Sequence, residues 1–349
     1  GRYRGLLPAC IVKKGFTMLA LETSCDETSA AIVVDGIEVK SNIISSQIGT
    51  HQKFGGVVPE IASRKHLENI TPVVEESLLQ ADVTLQDLDG VAVTYGPGLV
   101  GALLVGVSTA KAMAFALNIP LVGVHHLAGH IYANYLIRPD LQLPVVCLVV
   151  SGGHTSLILW KGHDEYELLG ATRDDAAGEA FDKIARALGL GYPGGPLIEE
   201  QARRGNPQGI SFPRAWLEEG SLDFSFSGLK SSVLNYLNRS KQMGKEICIP
   251  DVAASFQDAV VEVLAAKAVK AALVKGVKTI TIAGGVAANG YLRSRLIAEA
   301  EIHGIEVITP DLIYCTDNAA MIGCAGYFQY LQGHIADLNL NAVPNLPLY

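Results

Sequence analysis

Two histidines at helical spacing are the first residues in this sequence that could do chemistry. The run Val124-His125-His126-Leu127-Ala128-Gly129-His130 places the imidazoles of His126 and His130 four residues apart. On a helix, residues i and i+4 project from one face, so these two rings could share a metal ion, whereas His125 would point elsewhere. A surface pair or a capping cluster explains this spacing equally well. Leu127 stands where an H-E-x-x-H motif has its glutamate, so the general base of a zinc protease is missing.

A carboxylate would complete a metal site, and the best candidate is Asp317. It lies in Cys315-Thr316-Asp317-Asn318, just before an apolar helical run. An aspartate at that position is also typical of an N-terminal helix cap. If it joins His126 and His130, we expect the ligands to come from both lobes of the protein, which would place the metal in the same cleft as the glycine turns described next. Two imidazoles and a carboxylate suit iron or zinc, and the donor set does not choose between them.

Three turns that could hold phosphate each follow an apolar strand. The strands 19–22 and 29–34 enclose the polar turn 23–28, and the strands 145–150 and 155–160 enclose Ser151-Gly152-Gly153-His154. The strand 279–283 runs into Gly284-Gly285-Val286-Ala287-Ala288-Asn289 and a helix starting near Tyr291. Glycine turns expose several N–H groups to an anion, although tight turn geometry alone explains any one of them.

Taken together, the turns resemble the two phosphate elements and the adenosine element of the actin, hexokinase and heat-shock ATPase superfold, with nucleotide between two lobes. Ser151, Gly152 and Gly153 would then contact phosphate, while Gly284, Gly285 and Asn289 would lie by the nucleoside. Asp26 in the first turn would face the phosphates through a metal or water. An Asx-type turn, in which the side chain bonds its own backbone, is an equal alternative for Asp26.

Strand-like and helix-like runs alternate along the chain, which predicts an α/β fold with two actin-like lobes. We expect an N-terminal lobe over 18–140, a C-terminal lobe over 141–333 with an insertion at about 162–250, and a tail over 334–349. Helices are predicted at 127–137, 251–274 and 319–332. The apolar helix around 99–117 could form a dimer face or pack in the core.

Composition limits the class of protein. The formal net charge of −8 and the pI near 5.6 argue against unaided binding of a large phosphate backbone. Six scattered cysteines without a C-x-x-C pair are typical of free thiols in the cytoplasm. No uninterrupted apolar run reaches the roughly 20 residues of a membrane helix, so no membrane is expected. Residues 1–17 are interpreted as an upstream or vector-derived extension before a native start at Met18, or as a remnant of a basic targeting peptide.

Seven motifs, in order, resemble the bacterial TsaD family, whose members were once described as O-sialoglycoprotein endopeptidases. They are Glu22-Thr23-Ser24-Cys25-Asp26-Glu27-Thr28, Gly55-Gly56-Val57-Val58-Pro59-Glu60, Gly96-Pro97-Gly98, His126-Leu127-Ala128-Gly129-His130, Val150-Ser151-Gly152-Gly153-His154-Thr155, Phe224-Ser225-Phe226-Ser227-Gly228-Leu229-Lys230 and Gly284-Gly285-Val286-Ala287-Ala288-Asn289. The resemblance runs from Met18 to about Gly333.

The resemblance implies an acyltransferase of tRNA modification that moves threonylcarbamoyl from threonylcarbamoyl-AMP to the exocyclic N6 of the adenosine beside the anticodon, in tRNAs reading codons that start with A. AMP is released, and no residue is expected to act as a covalent nucleophile. By motif position, His126, His130 and Asp317 would bind one divalent metal ion per subunit, iron(II) being favoured and zinc the alternative. The residues implied to bind the donor are Val149, Val150, Ser151, Gly152, Gly153, Asp182, Gly195, Glu199 and Asn289.

The resemblance also implies partners, namely tRNA, an inactive TsaB-like paralogue and a TsaE-like ATPase, in the cytoplasm; a homodimer is a further expectation. Three other functions are open. The paired histidines and the older description suggest a metalloprotease, and the superfold suggests a small-molecule kinase. A TsaB-like scaffold is the non-enzymatic alternative, against which the complete set His126, His130 and Asp317 argues.

Overall fold

The computed structural model describes residues 13–349 as two compact units. One unit contains the described residues 13–141 together with Asp311–Tyr349, and the other contains Gln142–Pro310. Most of the expected N-terminal extension, with Arg2, Arg4 and Cys10, lies outside the described residues. Of its remainder, Phe16 is buried against Tyr327 and Tyr330.

The first unit begins with a five-stranded sheet and its covering helices. Its elements up to Leu141 are β1 (Thr17–Glu22), β2 (Glu27–Val34), β3 (Glu38–Ser46), α1 (Ile48–His51), α2 (Pro59–Ala81), β4 (Gly90–Gly96), α3 (Val100–Leu117), β5 (Leu121–His125) and α4 (His126–Ile137), with 3-10 turns at Gln52–Phe54 and Leu85–Asp87. The strand order is β3-β2-β1-β4-β5. β1 and β2 form an antiparallel hairpin, whereas β1, β4 and β5 run parallel. The carboxyl ends of three strands therefore lie along one edge.

The second unit repeats this plan. Its elements are β6 (Val145–Val150), β7 (Thr155–Gly162), β8 (Glu165–Ala171), α5 (Ala177–Ala187), α6 (Gly194–Ala202), α7 (Ser227–Gln242), α8 (Ile249–Lys275), β9 (Thr279–Ala283), α9 (Gly290–Ile302) and β10 (Glu306–Ile308), with a 3-10 turn at Gly285–Ala288. The strand order is β10-β9-β6-β7-β8, again with an antiparallel hairpin beside parallel strands. The predicted α/β fold with two equivalent hairpins is confirmed. β8 is part of this sheet, so the expected insertion at about 162 starts too early.

The chain returns to the first unit after Pro310. Here α10 (Leu312–Cys315) and α11 (Ala319–Leu331) follow, and α11 packs on β1, β2 and α4. We expected 319–332 to close the second lobe, and this assignment was wrong. The sequence of an apolar helix does not reveal which sheet the helix packs on, because either sheet would bury its apolar side chains equally well. Glycines decide the contact here, since Gly323 lies directly over Val33 and Ala20.

α3 is the one helix within residues 13–349 that is long and apolar enough to span a membrane, judged by length and composition alone. It packs on β4 and α2, and residues such as Leu103 and Ala110 are fully buried there. Val100, Leu104 and Phe115 are exposed on its other face. One face of α3 therefore packs in the core, and the dimer face stays a prediction for the other.

Replacing Gly323 with alanine should destabilise the first unit. A β-carbon at this position would lie 2.7 Å from Val33 Cγ2 and 3.3 Å from Ala20 Cβ. We expect a net loss of about 1–2 kcal/mol in unfolding free energy, because overpacking outweighs the roughly 1 kcal/mol that alanine gains over glycine in a helix.

Chemical denaturation of Gly323→Ala beside Gly228→Ala would test this. A β-carbon on Gly228, in α7, meets open space, so that variant should keep or slightly raise stability. If both variants were equally stable, the close packing of α11 would be contradicted.

Candidate metal centre and glycine-lined edge

The predicted metal ligands converge in the first unit. β5 ends at His125 and α4 begins at His126, so His126 and His130 lie one turn apart at the edge where the parallel strands end. Asp317 lies in the short link between α10 and α11. His130 Nε2 is 3.0 Å and His126 Nε2 is 3.3 Å from Asp317 Oδ1, and one potential ligand atom from each residue lies within 4.8 Å of the other two.

All three side chains belong to the first unit, which corrects the expectation that Asp317 comes from the other lobe. The capping alternative for Asp317 is also excluded by the geometry. Asn318 caps α11, because its Oδ1 accepts a hydrogen bond from Met321 N at 3.1 Å. The adjacent Asp317 is therefore left to face the imidazoles.

These residues fit a metal ion. Ligand atoms bound at about 2.1 Å to one tetrahedral ion lie roughly 3–3.5 Å apart, which matches the two distances between nitrogen and oxygen. Two imidazoles and a carboxylate are a common donor set for iron(II) or zinc. The group could thus hold one ion, although the donors do not identify it.

Glu22 is a member of this site whose role the sequence analysis missed. It ends β1 and is fully buried. Its Oε2 accepts hydrogen bonds from His126 Nδ1 at 3.0 Å and Thr94 Oγ1 at 2.6 Å, and its Oε1 accepts one from Ser24 N at 2.7 Å. Since Nδ1 is held by Glu22, Nε2 is the nitrogen of His126 that faces Asp317. An acid ending the apolar strand run LALE was the available signal.

The charges at this site depend on one another. Burial disfavours the imidazolium of His126, but Asp317 and Glu22 outweigh this effect and raise its pKa well above the usual value. Burial would raise the pKa of Asp317 and that of Glu22, but in each case the neighbouring His126 outweighs it and the pKa is lowered. Without a metal, the two carboxylates thus share one imidazolium.

Ser24 Oγ lies 3.2 Å from His126 Nδ1, a serine–histidine pair that the sequence analysis did not anticipate. The serine is almost fully buried, and the same ring nitrogen faces Glu22. This geometry orients the imidazole and leaves it no free acceptor for a nucleophile's proton. That no residue acts as a covalent nucleophile stays a prediction.

The polar turn 23–28 brings two further acids close to the metal centre. Asp26 is buried, and its backbone oxygen accepts a hydrogen bond from Gln47 N. Burial, together with Asp317 and then Asp26, raises the pKa of Glu27 well above its ordinary value. A protonated Glu27 can donate a hydrogen bond to the Asp26 carboxylate, so the two acids together carry one negative charge and not two.

In the second unit, the predicted donor-binding residues cluster where the parallel strands β6 and β9 end. Val149 and Val150 are the last residues of β6, and the turn 151–154 follows. A β-carbon on Gly284 would lie 2.2 Å from Val150 O, and one on Gly178 would lie 2.6 Å from Ser151 O. These glycines are therefore needed for close packing. By contrast, β-carbons on Gly152, Gly153, Gly195 and Gly285 would meet open space.

The remaining predicted residues are tied to this cluster by hydrogen bonds. Asp182, on α5, accepts a bond from Gly194 N at 2.8 Å, next to Gly195 on α6. Glu199 Oε1 accepts a bond from Gly290 N at 2.8 Å, and Asn289 caps α9 while its Nδ2 donates to Gln257. Glu199 also lines a cavity of about 370 Å³, together with residues that include Gln257 and Tyr291. Nothing in the sequence pattern marked Gln257 or Tyr291.

The fold and the site define a class of protein, an α/β fold of the actin and heat-shock ATPase type that carries a histidine–carboxylate group able to hold a metal ion. Solved structures share the fold. HypF of T. kodakarensis aligns with a TM-score of 0.62 at 16% identity over 95% of this chain and 49% of its own. Component A of the (R)-2-hydroxyglutaryl-CoA dehydratase of Acidaminococcus fermentans aligns with a TM-score of 0.52 at 17% identity over 91% and 98%.

Sequence relatives identify the family. The model of TsaD, tRNA N6-adenosine threonylcarbamoyltransferase, matches residues 38–324. The chain is 62% identical to the enzyme of that name from Clostridioides difficile (strain 630), covering 95% of this chain and 98% of that one. It is also 62% identical to the one from Moorella thermoacetica, covering 95% and 97%. This chain belongs to the TsaD family, and its activity is the transfer of a threonylcarbamoyl group to N6 of adenosine in tRNA.

Replacing Glu22 with glutamine should weaken metal binding. The amide keeps the shape of the side chain but removes the carboxylate that accepts from His126 Nδ1. We expect a 10–100-fold higher Kd for zinc, the usual cost of losing such a partner. Competition with a chromogenic chelator measures it, and Glu60→Gln, at an exposed position, is the matched control. Equal Kd values for both variants would contradict the role of Glu22.

The contribution of His66 to stability should fall as the pH falls. This buried ring links the polar turn to α2, with Nδ1 2.8 Å from Thr28 Oγ1 and Nε2 2.7 Å from Cys25 O. Burial lowers the pKa of His66 below its unfolded value of about 6.5, so below that pH the unfolded chain binds a proton that the folded chain does not. The lost stability approaches about 1.4 kcal/mol per pH unit.

Denaturation of wild type and His66→Gln between pH 7.5 and 5.5 measures this effect. Glutamine can bond the same two groups without titrating, so its stability should decline less steeply than that of wild type. If the unfolding free energy changed with pH by the same amount in the two proteins, the predicted contribution of His66 would be wrong.

Proposed function

We propose that this transferase takes its acyl group from threonylcarbamoyl-AMP, modifies the adenosine beside the anticodon in tRNAs reading codons that start with A, and releases AMP. The observation that carries the proposal is that one potential ligand atom from each of His126, His130 and Asp317 lies within 4.8 Å of the other two. Nothing in the geometry favours a metalloprotease or a small-molecule kinase. The position of a protease general base remains occupied by Leu127.

The glycine turn after β6 would hold the phosphate of the donor. The N–H groups of Gly152 and Gly153 have no hydrogen-bond partner among the described residues, and both glycines face open space. Such N–H groups bind an anion without a positive side chain. A solved form of HypF, a protein of the same fold, contains phosphate and nucleotide, which supports this use of the fold.

The cavity beside Asn289 would hold the adenosine of the donor. Its volume of about 370 Å³ is in the range of small-ligand sites, and the ring of Tyr291 lines it. Asp258 accepts a hydrogen bond from Tyr291 Oη at 2.6 Å, which fixes the ring. Glu199 and Asp182 would contact the ribose or the threonyl group, each already ordered by a backbone N–H.

The metal centre would act on the carbonyl of the transferred group. Iron(II) is the favoured ion and zinc the alternative, and either would supply a Lewis acid for the carbamoyl oxygen. Glu22 would keep His126 in the orientation that presents Nε2. Orientation of the N6 amine and charge stabilisation on the departing phosphate would supply the remaining catalysis, so no covalent intermediate is needed.

Partners are part of the proposal. A net charge of −8 leaves little attraction for tRNA, so a TsaB-like paralogue and a TsaE-like ATPase would assist in the cytoplasm. The exposed residues Val100, Leu104 and Phe115 on α3 support a protein-binding surface, for the paralogue or for a second copy of the chain. The described cysteines are free, as a reducing compartment requires.

Replacing Asp317 with asparagine should abolish both metal binding and transfer. The variant keeps the size of the side chain but loses the charge that faces both imidazoles, and we expect at least a 100-fold loss of transfer rate, the loss typical of removing one group that stabilises transition-state charge. Asp311→Asn, at an exposed carboxylate shortly before it, should retain both properties.

The assay combines the protein, candidate partners, threonylcarbamoyl-AMP and unmodified tRNA, followed by digestion and mass spectrometry of the nucleosides. Modified adenosine from wild type and from Asp311→Asn, but not from Asp317→Asn, is the expected result. No product from wild type, under conditions in which a related enzyme is active, would refute the proposed donor and acceptor.

A further inference from the structure

His125, the residue before the first metal ligand, caps the helix that carries the site. Its Nδ1 accepts a hydrogen bond from Leu127 N at 3.0 Å, at the first turn of α4. Its Nε2 is 2.9 Å from Leu346 O, near the end of the described chain. Because the amide of Leu127 can only donate, Nδ1 must be unprotonated, and Nε2–H therefore donates to Leu346 O. The cap thus requires one tautomer, which a distant carbonyl selects.

Leu346 belongs to residues 336–346, a segment that follows β5 from its first residue, Leu121, to its last, His125, and also contacts the end of β4. We name this segment the C-terminal strap. Hydrogen bonds attach it along its length. They are Ala336 N to Leu121 O at 2.8 Å, Lys111 Nζ to Leu340 O at 2.9 Å, Val343 N to Tyr95 O at 2.8 Å, Gly98 N to Pro344 O at 3.1 Å and His125 Nε2 to Leu346 O at 2.9 Å.

Two strand glycines make room for the strap. A β-carbon on Gly96, the last residue of β4, would lie 2.1 Å from Val343 O and 2.8 Å from Leu346 Cβ. One on Gly123, in β5, would lie 3.0 Å from Leu340 Cδ1. The strap is therefore closely packed against β4 and β5 at these two glycines.

We propose that the C-terminal strap is a positioning element of the metal centre and acts through His125. The carbonyl of Leu346 accepts from His125 Nε2–H, which leaves Nδ1 free of a proton and able to accept from Leu127 N. This bond stabilises the first turn of α4, and that turn carries His126. Histidine is a poor helix cap by itself, because an unconstrained ring can adopt the other tautomer or rotate away. This inference rests on the metal-binding part of the proposed function.

The test uses the full-length chain and zinc alone. A strap variant, Val343→Pro/Leu346→Pro, removes the N–H that donates to Tyr95 O and the N–H of Leu346 that donates to Val343 O. Leu348→Pro, beyond the last attachment, is the matched control. We expect an approximately tenfold higher zinc Kd for the strap variant and no change for the control, as for the loss of a partner that orients a metal ligand.

His125 supplies the second arm of the test. His125→Ala should raise the zinc Kd by about tenfold, whereas His125→Asn should stay near wild type, because an asparagine oxygen caps a helix without needing a tautomer. In the His125→Asn background, the strap variant should change Kd less than twofold. Near-additive effects of the two changes would overturn the proposed route through His125.

The outcomes separate this inference from the proposed function. If wild type binds zinc and both the strap variant and His125→Ala have the same Kd as wild type, the strap proposal is wrong. The proposed transferase function would not be affected by that result. Failure of wild type to bind zinc or iron(II) overturns the metal centre and the inference with it. If the strap variant does not fold, as thermal unfolding would show, His125→Ala against His125→Asn decides, and equal Kd values overturn the proposal.

Discussion

The first unit depends on mutual compensation among charges that are shielded from water. Glu22 is fully buried, and Asp317 lies against the two imidazoles of α4. An isolated carboxylate in such a position would be neutralised or would destabilise the fold by several kcal/mol. An imidazolium or a metal ion provides the compensation. When the chain returns to the first unit after Pro310, α11 packs on the first sheet. The same return brings the carboxylate of Asp317 to the imidazoles of His126 and His130.

The two units use one topology for different chemistry. In both sheets a hairpin lies beside parallel strands, so the hairpin turn and the ends of the parallel strands meet at one edge. In the first unit this edge collects acids and imidazoles around the turn 23–28. In the second unit the equivalent turn 151–154 has glycines and open N–H groups. One edge suits a cation and the other suits an anion, as the proposed transfer from threonylcarbamoyl-AMP would require.

Local pattern predicted the elements well where burial is uniform. The strands β6 and β9 begin and end as expected, because a short apolar run closed by a glycine turn has few other solutions. The helices α3, α4 and α8 were placed within two residues of their ends. The errors lie in assembly. β8 was assigned to an insertion and α11 to the wrong lobe, since the partner of a strand or an apolar helix is a tertiary choice that its own periodicity does not contain.

The sequence by itself determined the family, the histidine pair and the glycine turns, because spacing along one helix or one turn is a local property. Only the tertiary structure decided that Asn318 caps α11 and thereby leaves Asp317 to the imidazoles, and that Glu22 and not a neighbouring acid holds His126. It likewise joined His125 to Leu346 across 221 residues of sequence. Such contacts form between residues far apart in the sequence, once strand order has brought them together. The spacing of residues along the chain therefore does not predict them.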